Sequence, residues 1–434
     1  MERLSVLKHA DDTVLLAEDE EGLRIAVQAF ERWCRKWQVA PNPGKCEVVV
    51  FEHSGNTRPR IELGGQVLKV TKQAVYLGYV LDRRGSWTAH VSRRITKAAM
   101  WDCLARKLVG STGGCTVEAA AHVRASAADA SALYGAGMWA GLSQRMDQAV
   151  DTQQAGMARA LLGVRTSAES CGVLTELGWQ AMRHKARAQR FFVGGEYWLL
   201  RTVEQQALSD ANRGTAHQKS EFNWWKHTAS MVQDLVRASS KSTDDLRAMT
   251  KDKFRDHVKL TLWHEEYEER LRQMRKHSRL QRLATELDTR AHADPARHAK
   301  CRRWPSAAYL RKVGSQYHAR AIAMVRLDLM SVDWEIDRWN RVPYAERRCR
   351  ECGATRGDVC HLISGCPALP ALRGGEDGAA CWNFLVNAQH EDGAMWRRVA
   401  RHIEQSWRGL EQARNTRKTT AGHAPGLLLG VLSH

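Results

Sequence analysis

Two sets of side chains in this sequence have the types and spacing that chemistry requires. The first is the adjacent pair Asp11 and Asp12. Hard carboxylate oxygens fixed at a turn between strands suit Mg²⁺, which in a two-metal site bridges the attacking and leaving oxygens of a nucleotidyl transfer. Taken alone, an aspartate pair is more often a simple turn. The second set is Cys349, Cys352, His361 and Cys366, a Cys-x2-Cys-x8-His-x4-Cys pattern. Three thiolates and one imidazole complete the tetrahedral shell of a structural Zn²⁺, each closely spaced pair supplying half of it. Gly353 permits a sharp turn after the first pair and Pro367 closes the unit, while Cys360, beside His361, is a competing ligand.

The elements that must carry these groups follow from hydrophobic spacing. Thr13 to Ala17 is a short β-branched run starting directly after the aspartates, which places the carboxylates at the turn of a hairpin. Leu23, Ile25, Val27, Phe30, Trp33, Cys34 and Trp37 recur at nearly helical spacing over Glu20 to Trp37, and Pro41-Asn42-Pro43-Gly44 stops that helix. Cys46 to Phe51 reads as a buried strand, Ile61 to Leu68 as a hairpin about Gly64-Gly65, and Val75 to Leu81 as a third β-rich run. From His90 onward the periodicity is helical, broken at Gly110–Gly114, Gly163, Gly178, Asn212–Gly214 and Pro295. Ala-rich Ala119–Ala132 reads as a tightly packed helix. The fold class expected is α+β.

The 434 residues carry 66 Lys and Arg against 48 Asp and Glu, a net charge of +18, which favours a polyanionic partner. Half of that excess lies in residues 251–320, where the net charge is +9. Arg270, Arg272, Arg275, Lys276, Arg279 and Arg282, then Arg297, Lys300, Arg302 and Arg303 beside Trp304, form a basic track able to neutralise phosphates. The bland alternative is a solvated helix face. Trp33, Trp37, Trp101 and Trp139 fall on apolar helix faces and read as core, whereas Trp224-Trp225 and Trp304 are candidate stacking platforms. No signal peptide or membrane-length apolar run is present, and 11 thinly spread cysteines do not form a secreted disulfide framework, so an intracellular protein is expected. P-loop, His-Glu-x-x-His and Gly-x-Ser-x-Gly patterns are missing, and His264-Glu265-Glu266 reads as a solvated helix start.

The run His9-Ala10-Asp11-Asp12-Thr13-Val14-Leu15-Leu16-Ala17 resembles the metal-binding aspartate box of reverse transcriptases from non-LTR (LINE-type) retrotransposons, with His9 in place of the usual aromatic residue. Further matches follow in the family's order. Glu20-Glu21-Gly22-Leu23 opens the next helix; Asn42-Pro43-Gly44-Lys45-Cys46-Glu47-Val48-Val49-Val50-Phe51 is similar to the lysine-bearing motif, and Tyr76-Leu77-Gly78 to the primer-grip hairpin. Leu133-Tyr134-Gly135-Ala136-Gly137-Met138-Trp139 and Arg159-Ala160-Leu161-Leu162-Gly163-Val164 are similar to thumb and post-thumb helices. His361-Leu362 and Cys366-Pro367 match the family's terminal cysteine-rich knuckle, and no Pro-Asp pair of a following endonuclease occurs after Pro367.

The resemblance spans roughly residues 4 to 370. It implies an RNA-directed DNA polymerase in which Asp11 and Asp12 hold Mg²⁺, Lys45 lies near the phosphates of the incoming nucleotide, and Tyr76, Leu77 and Gly78 position the primer. RNA and DNA are the implied partners, an upstream polymerase fragment is another, and the nucleus is the implied location. Because the family places a further metal-binding aspartate, the fingers and the template-binding strands before the aspartate box, the chain is expected to be truncated and inactive alone. The alternative is a non-catalytic nucleic-acid-binding protein made from thumb, basic helices and knuckle. The domains expected are a partial palm over residues 1–85, thumb and post-thumb helices over 86–200, a basic helical connector over 201–345, a zinc knuckle over 346–370 and a helical tail over 371–434.

Overall fold

A computed structural model describes residues 6–51, 58–110, 116–139, 142, 144–199, 230, 233–239, 241–301, 303–353, 357–369, 378–386 and 390–420. It is α+β and mainly helical. Two compact units divide it, one of Met1–Lys97, Ala132–Ala149 and Gln189–Lys251, the other of Ala98–Ser131, Val150–Ala188 and Asp252–His434. Within the described residues no helix is long and apolar enough to cross a membrane.

The first unit holds all the described strands, as four two-stranded sheets. β1 (Val6–His9) pairs antiparallel with β2 (Asp12–Leu15), and β3 (Glu47–Val49) pairs parallel with β6 (Lys69–Thr71). β4 (Glu62–Leu63) pairs with β5 (Gln66–Val67) across Gly64-Gly65, and β7 (Gln73–Tyr76) with β8 (Tyr79–Asp82), both antiparallel. Helix α1 (Glu20–Trp37) starts at Asp19, whose carboxylate accepts from the Gly22 amide at 2.7 Å, with Glu20 and Glu21 in the first turn and Arg35 and Lys36 in the last. Those charges complement the helix dipole at both ends.

Leu23, Val27 and Phe30, spaced four and three apart, form the stripe by which α1 meets Val48, Ile61, Leu63 and Leu68. Trp33 and Trp37 sit beside that stripe and are 40% and 61% exposed, and Trp101 is 44% exposed, so three tryptophans expected in the core lie at the surface. The reason is geometric in α1: its apolar arc is wider than the small core it covers. Trp139 is buried as expected.

The second unit is built from helices. The end of α2 (Thr88–Gly110), α3 (Val117–Ala132), α4 (Gln144–Leu162) and α5 (Ser170–Leu177) are joined by the helices Lys251–Lys276, Gln281–Ala293, Gln316–Arg326, Val359–Gly365, Gly378–Leu385 and Gly393–Thr420. Their common core includes Leu161, Leu162, Val173, Met274, Ile322, Val325, Ile363, Leu385 and Trp396. Alanine-rich α3 buries Ala120 and Ala128, in keeping with its reading as a packed helix. A network of charge lies inside: Arg326 donates to both oxygens of Glu176 at 3.0 Å and to Glu286 at 2.7 Å. Buried ions persist only when paired and hydrogen-bonded in this way.

His264-Glu265-Glu266 is not a helix start. It lies in the middle of Lys251–Lys276, and Glu266 is buried, accepting from the Ala181 amide at 2.8 Å and from Arg270. Trp304 is likewise buried; Arg270 sits 3.9 Å over its ring, among Trp263 and Tyr267, so it offers no free stacking face. Trp224-Trp225 and Arg302 lie outside the described residues.

Candidate functional site

The aspartate hairpin has the register His9↔Asp12, which leaves Ala10 and Asp11 as a two-residue turn. Ala10 takes φ 52°, a conformation in which a side chain is strained. Asp11 and Asp12 are both exposed, one at the tip and one opening β2. Lys8 reaches from β1 to lie 3.6 Å over the Trp33 ring of α1, a cation–π contact worth about 0.5–2 kcal/mol that ties the hairpin to the helix. No group of three or more metal-ligating side chains includes either aspartate among the described residues. Two exposed carboxylates fit Mg²⁺ as part of a shell that otherwise consists of water or of groups beyond these residues.

Lys45 closes a short 3₁₀ turn, Pro43–Lys45, capped by Asn42, whose side chain accepts from the Gly44 amide at 3.0 Å. The turn feeds β3, and Lys45 is exposed at its edge.

Tyr76, Leu77 and Gly78 lie at the tip of the β7–β8 hairpin. Leu77 and Gly78 have φ 46° and 78°, so both central residues occupy the left-handed region, as a type I′ turn demands. That conformation is costly for leucine, and the turn is held from outside. The Tyr134 hydroxyl donates to the Leu77 carbonyl at 2.7 Å, and the Arg94 guanidinium donates to the Gly78 carbonyl while lying 4.4 Å over the Tyr134 ring. Glycine suits this place, since at φ 78° it is unstrained and a Cβ at position 78 would press on the Arg94 guanidinium at 3.2 Å and touch the Tyr134 ring at 3.4 Å.

One buried imidazole locks the clamp to the strand. His90 Nδ1 accepts from the Val80 amide at 3.2 Å, so the ring proton resides on Nε2, which donates to the Tyr134 carbonyl at 2.9 Å. His90 is fully buried and stacks on Tyr79 at 5.3 Å. Burial holds it below the ordinary imidazole range; Arg94 and Arg93 push the same way, and the Tyr134 carbonyl opposes them. Gly135, at φ 78°, lets Tyr79 approach, because a Cβ there would lie 2.5 Å from the Tyr79 ring. His90 and Arg94 were not among the site residues expected from sequence. The available signal was the Tyr134-Gly135-x-Gly137 spacing, whose glycines mark places where something packs closely.

The cysteine and histidine ligands do converge. The donor atoms of Cys349, Cys352, His361 and Cys366 all lie within 4.8 Å of one another, with Cys349 Sγ to Cys366 Sγ at 3.8 Å and Cys352 Sγ to His361 Nε2 at 3.3 Å. Tetrahedral zinc with bonds of about 2.3 Å to sulfur and about 2.0 Å to nitrogen implies ligand edges of about 3.8 and about 3.5 Å, so the donor set fits the ion. Gly353, at φ 75°, turns the chain after the first pair, its amide donating to the Cys349 carbonyl at 2.8 Å. Asp358 caps the helix Val359–Gly365 by accepting from the His361 amide at 2.9 Å, which sets the imidazole on the first turn. Cys360 Sγ instead lies 3.8 Å from Ser364 Oγ and stands outside the four. Without metal, burial and then the neighbouring thiols push the Cys366 thiol up to about 12.

The knuckle is anchored within its unit. Its backbone receives Asp333 at the Arg350 amide (2.9 Å), Gly357 accepts from the Trp334 amide at 3.1 Å, and Ile363 accepts from buried His402 at 2.7 Å. Val359, Leu362 and Ile363 belong to the unit's main core.

The basic track separates into two groups. Arg272, Arg275 and Lys276 are exposed at the end of their helix, with Arg275 paired to Asp288. Arg270 is buried, Arg279 donates to buried Glu335 at 2.6 Å, and Arg282 donates to the Val325 carbonyl at 2.6 Å. Arg297, Lys300 and Arg303 are exposed.

No family model matches the chain, and no solved structure does. A stretch of 97 residues, 21% of this chain, is 29% identical to the RNA-directed DNA polymerase from mobile element jockey of Drosophila melanogaster and covers 11% of that protein. The corresponding polymerase of Drosophila funebris is 31% identical over 93 residues, 20% of this chain and 10% of its own length. The chain thus matches about a tenth of the length of these relatives.

Proposed function

We propose that this chain is part of an RNA-directed DNA polymerase of a non-LTR retrotransposon and binds RNA and DNA. The observation that carries the reading is its likeness to the polymerases of mobile element jockey over a fifth of the chain. Two tight hairpins support it, one presenting Asp11 and Asp12 and the other presenting Leu77 and Gly78 under a side-chain clamp. A rigid turn is what primer positioning asks for, since misplacing reacting atoms by a fraction of an ångström forfeits much of the rate.

In this reading Asp11 and Asp12 hold Mg²⁺, which supplies charge stabilisation to the transferring phosphate when bound. Lys45 lies near the nucleotide phosphates, and Tyr76, Leu77 and Gly78 hold the primer end. Arg272, Arg275 and Lys276, with Arg302 and Arg303, contact nucleic acid, Arg279 being committed instead to buried Glu335, and Cys349, Cys352, His361 and Cys366 hold structural Zn²⁺. In this reading the chain binds nucleic acid without extending a primer unaided, since two-metal transfer takes more carboxylates than the exposed pair Asp11 and Asp12.

The test is primer extension on an RNA template by the purified chain, with Asp11→Ala as control, alongside binding of the same primer–template. Binding without extension is expected. Extension by the wild type and not by Asp11→Ala would refute the claim of inactivity, and failure to bind either nucleic acid would refute the reading as a whole.

A further inference from the structure

The helix Gly393–Thr420 runs past the core that holds it. Trp396, Val399, Ala400, Ile403 and Leu410 are buried in that core, and no apolar residue of the helix beyond Leu410 is buried among the described residues. The last turns carry two arginines, Arg414 and Arg417, whose spacing puts them on one face. Arg414 donates to the Ser331 carbonyl at 2.8 Å and to Asp333 Oδ1 at 2.9 Å. Arg417 donates to the Glu351 carboxylate and, at 3.4 Å, to the Arg350 carbonyl.

Both arginines act on the short loop between Cys349 and Cys352. Asp333 is 2% exposed and divides its carboxylate, one oxygen taking the Arg414 guanidinium and the other the Arg350 amide at 2.9 Å. The Glu351 side chain is 8% exposed, so its charge needs a fixed partner, which Arg417 supplies. Arg350 and Glu351, the residues that separate this pair of ligands, are therefore held by one helix end, directly or through Asp333. The other half of the donor set is tied to the same helix, since His402 donates to the Ile363 carbonyl at 2.7 Å, in the helix that carries His361.

We propose that Arg414 and Arg417 are positioning residues for the zinc, and that the metal and the helix end stabilise one another. The proposal rests on the assignment of Cys349, Cys352, His361 and Cys366 as a zinc site. A loop with so few residues between its thiolates closes on a tetrahedral ion in few conformations, and groups that fix the loop beforehand raise metal affinity. Coupling of this kind is reciprocal: the factor by which the docked helix end raises zinc affinity is the factor by which zinc favours the docking. Zinc occupancy thereby sets how firmly residues 411–420 are held.

The test titrates the zinc-loaded full chain with a chelating dye and follows hydrogen exchange of residues 411–420 before and after the metal is removed. Arg417→Gln is expected to weaken zinc affinity by about 10- to 100-fold, the range for outer partners of a metal ligand. Glu351→Gln removes the same pair from its other side and is expected to do likewise, the double variant losing no more than either alone. Arg408→Gln, which breaks a pair with Glu404 earlier in the same helix, is expected to keep the wild-type affinity. Zinc should slow exchange over 411–420 in the wild type, and should not do so in Arg417→Gln even at saturation. Equal zinc affinity in Arg417→Gln and wild type, or an equal loss in Arg408→Gln, would overturn the proposal and leave the zinc site standing. Saturating zinc that leaves exchange over 411–420 unchanged in the wild type would overturn the coupling. A wild-type chain that holds no zinc would overturn the site itself, and the proposal with it.

Discussion

Replacing His90 by phenylalanine separates the shape of the clamp from its hydrogen bonds. A phenyl ring can keep the stacking on Tyr79 (5.3 Å) and the edge contact with Trp139 (6.2 Å) while giving up both hydrogen bonds, to the Val80 amide and the Tyr134 carbonyl. An unpaired buried backbone group costs about 1–3 kcal/mol, so the pair costs about 2–6 kcal/mol. That corresponds to a fall of about 30-fold or more in the protection of hairpin amides. The assay is hydrogen exchange of the segment 73–82 followed by mass spectrometry, with rates corrected for intrinsic exchange.

Acid supplies a second readout. The folded His90 titrates below its unfolded value, so the unfolded chain takes up the proton first. The stability His90 contributes is complete above the unfolded value of about 6.5 and is lost as the pH falls from there toward the folded value, by at most about 1.4 kcal/mol per pH unit. The difference between wild type and His90→Phe is therefore expected to shrink between pH 7.5 and pH 5.5. Equal protection in the two proteins at pH 7.5, or a difference indifferent to pH, would refute the assigned role of the imidazole.

Gly135→Ala places a Cβ 2.5 Å from the Tyr79 ring at φ 78°, and is expected to cost about 2 kcal/mol or more in urea denaturation; a midpoint within error of wild type would contradict the packing. Elemental analysis is expected to find one zinc per chain, lost in Cys352→Ser. Because Val359, Leu362 and Ile363 belong to the larger core, that variant should lower the melting temperature of the second unit and not merely loosen the knuckle; full zinc content in Cys352→Ser would exclude the ligand set. Arg279→Gln is expected to destabilise by about 1–3 kcal/mol with the salt slope of nucleic-acid binding nearly unchanged, since it leaves the buried carboxylate of Glu335 with Arg338 as its remaining guanidinium partner, while Arg272→Gln/Lys276→Gln should lower the slope with little effect on stability. The reverse pattern would show that Arg279 is the phosphate contact.

Local signals in the sequence proved most informative where the responsible groups are neighbours in the chain. The Asp11-Asp12 hairpin, the helix Glu20–Trp37 and the Gly64-Gly65 turn each depend on a few adjacent residues, and periodicity or turn chemistry is enough to find them. The Cys349-to-Cys366 pattern is similar, since its four donors are fixed by a knuckle turn and one helix turn within eighteen positions. Charge misled for the complementary reason. Arg270 and Arg279 look like their exposed neighbours Arg272 and Lys276, and only the positions of Glu266 and Glu335 mark them as internal. Helical spacing gave Trp33 and Trp37 an apolar face, yet it carries no information on how much partner surface that face meets.

The β7–β8 hairpin joins these two cases. Its turn was visible as Tyr76-Leu77-Gly78, but a leucine at φ 46° is unstable by itself, and the groups that make it tolerable arrive from Arg94, 16 positions away, and Tyr134, 57 positions away. Those two are in turn coupled by His90, which commits both ring nitrogens to backbone partners from different segments, Val80 and Tyr134. Each nitrogen bond depends on the tautomer the other one selects, so the segments are fixed together or not at all. Side chains that only describe a strand in the sequence, Tyr79 and Val80, therefore become the back wall of a positioned turn. A turn whose two carbonyls and supporting strand are all held by side chains can take the force of a ligand without shifting, and that property, more than the identity of Leu77, is what a primer-positioning role needs.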